Sequence, residues 1–377
     1  MNILYDLTAA QPSKTAKFSG GAYYCEALFF ALIKRHKNII GVYNSNSYIN
    51  PKILESGITI YDLNKVHPKN ILEKEEVETF YTAWYKNNED WQFTNIRYIA
   101  TIHGARELEM PSNIISLYYA NNFKRKLGLL KRFITKNIQY KKEKNKYPNA
   151  KIKYVTVSEH SKASIKSFYP HLNEKEIPVF YPPFIEDEEM SPLPMSLKIP
   201  QLKYFLLTSS ARWEKNNMRA AWAFDELFTH MKDLDFKVIL TGVTNENIFS
   251  RYLKNKEKFI FLNFIERSAL LYLHKNAYAF IYPSLNEGFG YPPIESMRYG
   301  VPVAASGTSS IPEICQNAAI YFDPYNVSEI KNRIIQLLDK NIYNEYSART
   351  VERYKAVNEK QKNDLESLIN FILDKES

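Results

Sequence analysis

The sequence predicts an α/β protein with two domains, each built on a parallel sheet with helices on both faces. Apolar segments alternate with helical segments over residues 1–185, and the alternation restarts at residue 201. Between them lies a proline-rich stretch with the acidic run Glu186–Glu189, typical of a linker, which we place at residues 186–200. The 377 residues suffice for two cores, in domains of residues 1–185 and 201–357.

The first half begins with an apolar strand that leads into a long polar loop containing Gly20 and Gly21. The pattern predicts strands at residues 2–7, 38–43, 58–63, 97–102, 152–157 and 177–181. It predicts helices at residues 22–35 and 73–86, a basic helix from 124, and a helix capped by Ser158. Strands that alternate with helices favour parallel pairing, in which ligands lie at the carboxyl ends of the strands.

The second half repeats this order. Strands are predicted at residues 203–208, 237–241, 259–264, 279–282, 301–306 and 320–322. Helices are predicted from 217, at 268–276 and 294–299, and from 328 onward.

The stretch from residue 278 to 324 carries the clearest chemistry. A buried strand is followed by Glu287, a loop of small residues at 288–290 and a short helix that contains Glu295. The glycines let backbone amides approach a ligand, and the amides at a helix start attract phosphate. Carboxylates accept hydrogen bonds from sugar hydroxyls. The combination favours a nucleotide-sugar site over a plain glycine turn with solvated glutamates.

Three other strand-to-helix loops contain candidate ligand-binding residues. Gly20 and Gly21 follow the first strand, where either a phosphate loop or a plain turn would fit. His103 ends a predicted strand. Arg212 and Lys215 follow the strand at 203–208, where two cations can offset the charge of a departing diphosphate, or simply be solvated at a helix start.

The stretch at 278–324 resembles the donor-site signature of retaining glycosyltransferases of family 4, and the resemblance extends in order over most of the chain. It implies the GT-B fold, with two Rossmann-like doubly wound domains facing a central cleft. The acceptor would bind to the N-terminal domain and the donor to the C-terminal one. The last helix, about residues 358–377, would pack back on the N-terminal domain.

The resemblance also implies roles for individual residues. Glu287 would contact the transferred sugar near its C3 and C4 hydroxyls, and Glu295 would bind the ribose hydroxyls. Backbone near Ile265 would hold the nucleobase. The other matched positions are the donor loop Gly288, Phe289, Gly290 and Tyr291, the cations Arg212 and Lys215, the glycine loop Gly20 and Gly21 beside the donor phosphates and acceptor, and His103 beside the transferred sugar or acceptor.

The sequence departs from the family pattern at two places. Gly104 replaces the aspartate that often follows the histidine, so only His103 is carried over. The spacing around Arg212 is shorter than usual, which makes Lys215 the surer match. Arg106, Glu107 and Glu109 could touch an acceptor or form a solvated loop. No metal and no cofactor are implied.

The formal net charge is +9, and it is concentrated between Lys124 and Lys146, where ten basic residues stand against one acid. The apolar residues there recur at helical spacing. A basic amphipathic helix is typical of a surface that meets anionic lipid, and a domain helix that buries its apolar stripe is the alternative. Nucleic-acid binding is not favoured, because no recognition motif or aromatic platform accompanies the charge.

With only Cys25 and Cys315, and no apolar stretch long enough to span a membrane, the sequence favours a cytoplasmic protein, peripheral on the inner face of the membrane if the basic helix binds lipid. We expect a retaining hexosyltransferase that uses a nucleotide-diphosphate sugar. The acceptor would be a glycan or lipid-linked glycan in bacterial surface polysaccharide, O-antigen or lipopolysaccharide synthesis. The rivals are a GT-B sugar-nucleotide epimerase and a non-catalytic regulatory subunit that binds nucleotide sugar or membrane.

Overall fold

The computed structural model describes residues 1–12, 20–85, 95–110, 112–120, 122–135, 137–138, 140–141, 146–147, 151–183 and 203–374. The chain forms two compact units. The first comprises residues 1–105, 142–186 and 358–377, and the second comprises residues 106–141 and 187–357. The predicted linker at 186–200 lies outside the described residues.

The strands and helices follow one another in the predicted alternation. The strands are β1 Asn2–Asp6, β2 Ile39–Tyr43, β3 Thr59–Asp62, β4 Val77–Thr82, β5 Arg97–Ile102, β6 Ile152–Thr156, β7 Tyr204–Leu207, β8 Lys237–Leu240, β9 Phe259–Phe261, β10 Ala279–Tyr282, β11 Val303–Ser306 and β12 Ala319–Phe322. The helices are α1 Gly20–Arg35, α2 Pro51–Leu54, α3 Pro68–Lys74, α4 Arg106–Glu109, α5 Phe123–Ile134, α6 Glu159–Phe168, α7 Asn217–His230, α8 Asn247–Ser250, α9 Arg267–Asn276, α10 Tyr291–Met297, α11 Ile311–Cys315, α12 Val327–Leu338 and α13 Lys340–Leu373.

Each unit contains one parallel sheet of the doubly wound type. The strand order is β3-β2-β1-β4-β5-β6 in the first unit and β12-β11-β10-β7-β8-β9 in the second. The central strands are buried on both faces, which is why they appear in the sequence as apolar runs without alternation. In each sheet the strand order reverses between two central neighbours, β1 and β4 in the first sheet and β7 and β10 in the second. The loops that follow these strands leave the sheet at a topological switch point, which is where ligands bind in such sheets. The predicted α/β class is confirmed.

Two predicted elements were wrong. Residues 73–86 were predicted to form one helix, but α3 ends at Lys74 and the central strand β4 follows. The β-branched and aromatic residues of β4 fit a pleated, buried surface better than a helix. Residues 177–181 were predicted to form a strand, but the segment makes only a single bridge, between Thr156 and Val179.

The division into units also differs from the predicted boundaries, because residues 106–141 belong to the second unit rather than the first. Ile115 and Tyr119 are buried in the core of the second unit. The Tyr119 hydroxyl accepts a hydrogen bond from the backbone N–H of Met218 at 3.3 Å, and Arg251 donates to the carbonyl of Tyr118 at 3.0 Å. The segment is therefore held by both apolar and polar contacts.

The end of α13 belongs to the first unit. The Arg97 guanidinium donates to the carbonyls of Phe371 at 2.5 Å and Ile372 at 2.8 Å, which have no partner within the last turn of a helix. The Asp364 carboxylate accepts from the backbone N–H of Tyr181 at 2.7 Å.

Neighbouring isoleucines provide a test of how residues 106–141 are held. Ile115 is 1% exposed in the core of the second unit, and Ile114 is 62% exposed. We expect Ile115→Ala to lower the free energy of unfolding by about 2–5 kcal/mol, because it leaves a cavity, and Ile114→Ala to change it by no more than about 0.5 kcal/mol. Urea unfolding of both variants measures the difference, and equal effects would contradict the packing described above.

Candidate active site

Lys215 and Glu287 meet at the switch point of the second sheet. Lys215 lies in the loop after β7, Glu287 lies in the loop after β10, and β7 pairs directly with β10. The Lys215 Nζ donates to the Glu287 Oε1 at 2.6 Å. Both side chains are almost fully buried, with 7% and 9% of their surface exposed. The sequence placed these residues 72 positions apart, and the sheet order brings them together.

Hydroxyl groups from three segments support this ion pair. The Lys215 Nζ also donates to the Tyr282 hydroxyl at 3.1 Å. Ser284 donates its hydroxyl to the Glu287 Oε1. The Ser309 Oγ, in the loop after β11, accepts from the backbone N–H of Glu287 at 3.0 Å. The Glu287 side chain is therefore fixed in one orientation before any ligand arrives.

The charges around Glu287 are mostly positive. The Arg106 guanidinium lies 3.9 Å from the Glu287 Oε2. Burial alone would raise the pKa of Glu287, but Lys215, Arg106 and Arg212 outweigh it and lower the pKa to about 2. Burial lowers the pKa of Lys215 to about 8 against the pull of Glu287. At neutral pH both groups are therefore charged, and an excess of cations surrounds the pair.

The glycine loop and helix after Glu287 differ in one respect from the predicted phosphate cradle. Gly290 has φ +114°, a conformation that favours glycine, and a Cβ at this position would meet nothing within 4 Å. Helix α10 begins with Tyr291, Pro292 and Pro293. Two of its first three residues therefore lack an N–H, and the helix start offers fewer amide donors than the pattern implied. Ser310 holds the loop through contacts to the carbonyls of Glu287 and Phe289 at 3.0 and 2.7 Å.

Glu295 lies inside α10 and is engaged by two residues that the sequence analysis did not identify. The Arg267 guanidinium lies 2.5 Å from its Oε1, and the His274 Nε2 lies 3.3 Å from its Oε2. Burial would raise the pKa of Glu295, but Arg267 and His274 outweigh it and hold the pKa below its usual value. Burial lowers the pKa of His274 to about 4, so its ring is neutral at physiological pH.

The remaining donor residues lie near these groups in sequence and fold. Ile265 is half-buried between β9 and α9, two residues before Arg267, so the expected base-binding backbone adjoins the residue that contacts Glu295. The Arg212 Nε lies 3.7 Å from the Glu214 Oε1, and its side chain is about one-third exposed.

The other predicted site residues belong to the first unit. Gly20 and Gly21 are the first residues of α1, and residues 13–19 before them lie outside the described part. His103 follows β5, where its Nε2 donates to the carbonyl of Ala83 at 2.8 Å and its ring stacks on Trp84. Gly104 has φ +114°, and a Cβ there would lie 3.3 Å from the Ser161 Oγ, which explains glycine in place of aspartate.

Segment 106–110 contacts the Glu287 loop through charged residues whose role the sequence analysis left open. Arg106 approaches Glu287, as described above, and the Asn286 amide donates to the Glu109 carboxylate. The sequence showed these charges after a predicted strand end but gave no sign of their target. Among the described residues, no group of three or more His, Cys, Asp or Glu side chains could hold a metal ion.

Helix α5 forms the first part of the basic segment, and none of its residues is buried. Its apolar stripe, which includes Leu127 and Leu130, is exposed to solvent, with Phe123 at 78% and Ile134 at 83%. The alternative in which this stripe packs into a domain core is therefore wrong for these residues. Over the described ranges, no helix combines the length and apolar character needed to cross a bilayer.

The pKa of His274 predicts a pH effect on stability. The folded value of about 4 lies below the ordinary 6.5, so between these values the unfolded chain binds more protons. The free energy of unfolding should therefore fall as pH is lowered from 6.5 towards 4, by up to about 1.4 kcal/mol per pH unit for this group. Urea unfolding at pH 7, 6 and 5 should show a shallower fall for His274→Gln. The exposed His230→Gln is the control, and an unchanged slope in His274→Gln would contradict the prediction.

Comparisons with known proteins identify relatives in sequence and in fold. Residues 196–357 match the family model described as Glycosyl transferases group 1. The O-antigen chain mannosyltransferase RfbU of Salmonella typhimurium is 32% identical over 154 residues, which are 38% of this chain and 42% of that protein. The chain's matches span less than half the length of the first curated relatives.

Two solved structures show the same fold. WaaG, a glycosyltransferase involved in lipopolysaccharide biosynthesis, superposes with a TM-score of 0.68 at 12% identity over 98% of this chain and 99% of that one. Anabaena HepE, solved with UDP and glucose, gives a TM-score of 0.60 at 14% identity over 97% of this chain and 100% of that one. The fold is GT-B, and residues 196–357 are similar to the glycosyl transferases group 1 family.

Proposed function

We propose that this protein is a retaining glycosyltransferase that moves a hexose from a nucleotide-diphosphate sugar to a glycan or lipid-linked glycan. The observation that carries the proposal is the buried Lys215–Glu287 ion pair at the switch point of a group 1 domain. The relative RfbU is an O-antigen mannosyltransferase, so mannose is the first sugar to test and O-antigen or lipopolysaccharide synthesis is the first pathway.

Charge and hydrogen-bonding capacity support a separate role for each of the candidate site residues in binding the donor. Arg212 and Lys215, with Arg106 beside them, would neutralise the diphosphate, and the backbone from Gly288 to Tyr291 would contact sugar and phosphate. Glu287 would accept hydrogen bonds from sugar hydroxyls. Glu295 would bind the ribose and the backbone at Ile265 the base. We propose that these cations neutralise the diphosphate without the help of a metal ion or cofactor.

The environment of Glu287 supports a reaction without a covalent intermediate. Its carboxylate is held by Lys215 and Ser284, which lowers its nucleophilicity. In the proposed reaction the bond from the sugar C1 to the leaving phosphate oxygen breaks. A bond from C1 to the acceptor oxygen forms on the same face, the acceptor proton passes to the departing phosphate, and a nucleoside diphosphate is released. His103 would lie beside the acceptor. A trapped glycosyl-enzyme adduct would contradict this route.

Helix α5 supports a location on the inner face of the cytoplasmic membrane. Its exposed stripe adjoins five basic residues without an acid in Phe123–Ile134, a combination that suits an anionic lipid surface. A membrane surface would also present a lipid-linked acceptor. The protein would then be cytoplasmic and peripheral, with no nucleic-acid partner.

Incubation with the nucleotide sugar alone, followed by product analysis, distinguishes the proposed transferase from the two rival functions. An epimerase would convert the nucleotide sugar into an isomer without acceptor, and a regulatory subunit would bind it unchanged. The proposed transferase requires acceptor for sugar transfer, apart from slow hydrolysis, and the anomeric configuration of its product tests retention.

The proposed function predicts that the protein binds a nucleoside diphosphate. The matching nucleoside diphosphate, among UDP, GDP, dTDP and ADP, should stabilise the protein by about 2.7 kcal/mol at a hundredfold excess over Kd, and EDTA should not abolish the shift. Arg212→Ala should weaken diphosphate binding about tenfold, through loss of a charge-assisted contact. It should leave nucleoside binding unchanged. Thermal shift and calorimetry measure both.

The exposed Lys232→Ala is the control for charge. Lys215→Ala is a harder test, because it leaves Glu287 buried without its main partner at a cost of about 3–5 kcal/mol. If no nucleotide stabilises the protein, or if Arg212→Ala weakens nucleoside and diphosphate binding equally, the assignment of the diphosphate site is wrong.

The proposed membrane location predicts that the protein binds anionic lipid. The protein should co-sediment with vesicles that contain anionic lipid, and less so at high salt, because Coulomb attraction is screened. Leu127→Ser combined with Ile134→Ser should reduce binding at least tenfold by removing exposed apolar area from α5. Leu54→Ser, at another exposed leucine, should have no effect. Equal binding by all three proteins would show that α5 does not meet the membrane.

A further inference from the structure

Behind Glu295 lies a short chain of buried polar groups that the proposed reaction does not use. The Ser296 Oγ lies 2.6 Å from the His274 Nδ1, and the His274 Nε2 faces the Glu295 Oε2 at 3.3 Å. The imidazole has no exposed surface, and its ring lies against that of Phe280. Arg267 contacts the other oxygen of the same carboxylate. Glu295 is thus approached from the protein side by two donors, one at each oxygen.

The hydrogen positions in this chain follow from chemistry. A neutral imidazole has one N–H, and an ionised carboxylate can only accept. The nitrogen that faces Glu295 is therefore the one that carries hydrogen, because a bare lone pair there would repel the carboxylate. The His274 Nδ1 then accepts from the Ser296 hydroxyl. The Nε2 lies within 3.3 Å of the carboxylate without forming a hydrogen bond to it, and this buried N–H has no other acceptor among the described residues.

We propose that His274 is a positioning residue that orients the Glu295 carboxylate for the two ribose hydroxyls of the donor. This inference rests on the proposed function. A carboxylate has about four lone-pair positions, so contacts with Arg267 and His274 leave acceptor positions for two hydroxyls. A neutral imidazole directs an N–H towards the carboxylate without cancelling the negative charge that attracts those hydroxyls. The 11% of the Glu295 side chain that stays exposed is where the ribose would enter.

Two substitutions of similar size separate the two ring nitrogens. In His274→Gln the amide nitrogen can occupy the place of Nε2 and keep the contact with Glu295. In His274→Asn the shorter side chain can replace only Nδ1, so the contact with Glu295 is lost. If His274 merely fills space, neither variant should change how the protein distinguishes ribose from a sugar without hydroxyls.

The experiment measures the Kd of the matching nucleoside diphosphate and of its 2′,3′-dideoxy analogue for wild type and both variants. We expect wild type to prefer the ribonucleotide at least tenfold and His274→Gln to retain most of that preference. His274→Asn should lose about tenfold of it, with binding of the dideoxy analogue unchanged. Ser296→Ala removes the hydrogen-bond donor to Nδ1 but keeps the imidazole, and it should also lower the preference for the ribonucleotide. This variant replaces His274→Asn in the test if His274→Asn does not fold.

The outcomes are distinguishable. If wild type prefers the ribonucleotide and no variant alters that preference, His274 is structural and this inference alone is overturned. If wild type binds both nucleotides equally, the ribose role of Glu295 is wrong, and the inference is overturned with that part of the proposed function. If no nucleotide binds at all, the donor site itself is misassigned.

Discussion

The buried ion pair between Lys215 and Glu287 is the constraint on which the geometry of the second unit depends. Moving two charges out of water costs several kcal/mol per ion, and their attraction repays this only when the geometry is good and further hydrogen bonds satisfy both groups. Tyr282, Ser284 and Ser309 meet that condition. Because these residues come from β10 and the loops after β10 and β11, the pair forms only when the strand order is correct. The position of the ion pair is then fixed by all of the loops at this edge of the sheet.

Backbone strain is concentrated in the same loops. Ser209, Asn216 and Ser309 have φ between 54° and 58°, a region that costs non-glycine residues about 1–3 kcal/mol each. Asn216 shows how this cost is offset. Its fully buried amide donates to the carbonyls of Pro283 at 3.0 Å and Pro324 at 2.7 Å, which ties the loop after β7 to those after β10 and β12. Strain that is held by several hydrogen bonds gives a site whose groups are fixed before a ligand binds.

The sequence predicted the two sheets because parallel strands buried on both faces appear as short apolar runs between turn residues. It failed at β4, where Thr79 and Thr82 interrupt the run and acidic residues precede it. At the site, Glu287 and Glu295 could be selected because they lie in one recognisable stretch. The contact of Arg106 with Glu287 and that of His274 with Glu295 could not be predicted, since each residue belongs to a segment without a motif and reaches its carboxylate only through tertiary packing. Local patterns identify candidate ligand-binding residues more readily than the residues that hold them in place.

The two units also show why a linker in the sequence need not divide a chain into independent folding units. The first unit includes the end of α13, whose last carbonyls are bonded by Arg97. The second includes residues 106–141, which bury Ile115 and Tyr119 in its core. A cut at residues 186–200 would therefore open a cavity in the second unit and leave helix carbonyls of the first without their partner. It would also remove Arg106 from Glu287, so the Lys215–Glu287 pair, which follows the linker, is completed by a cation that precedes it.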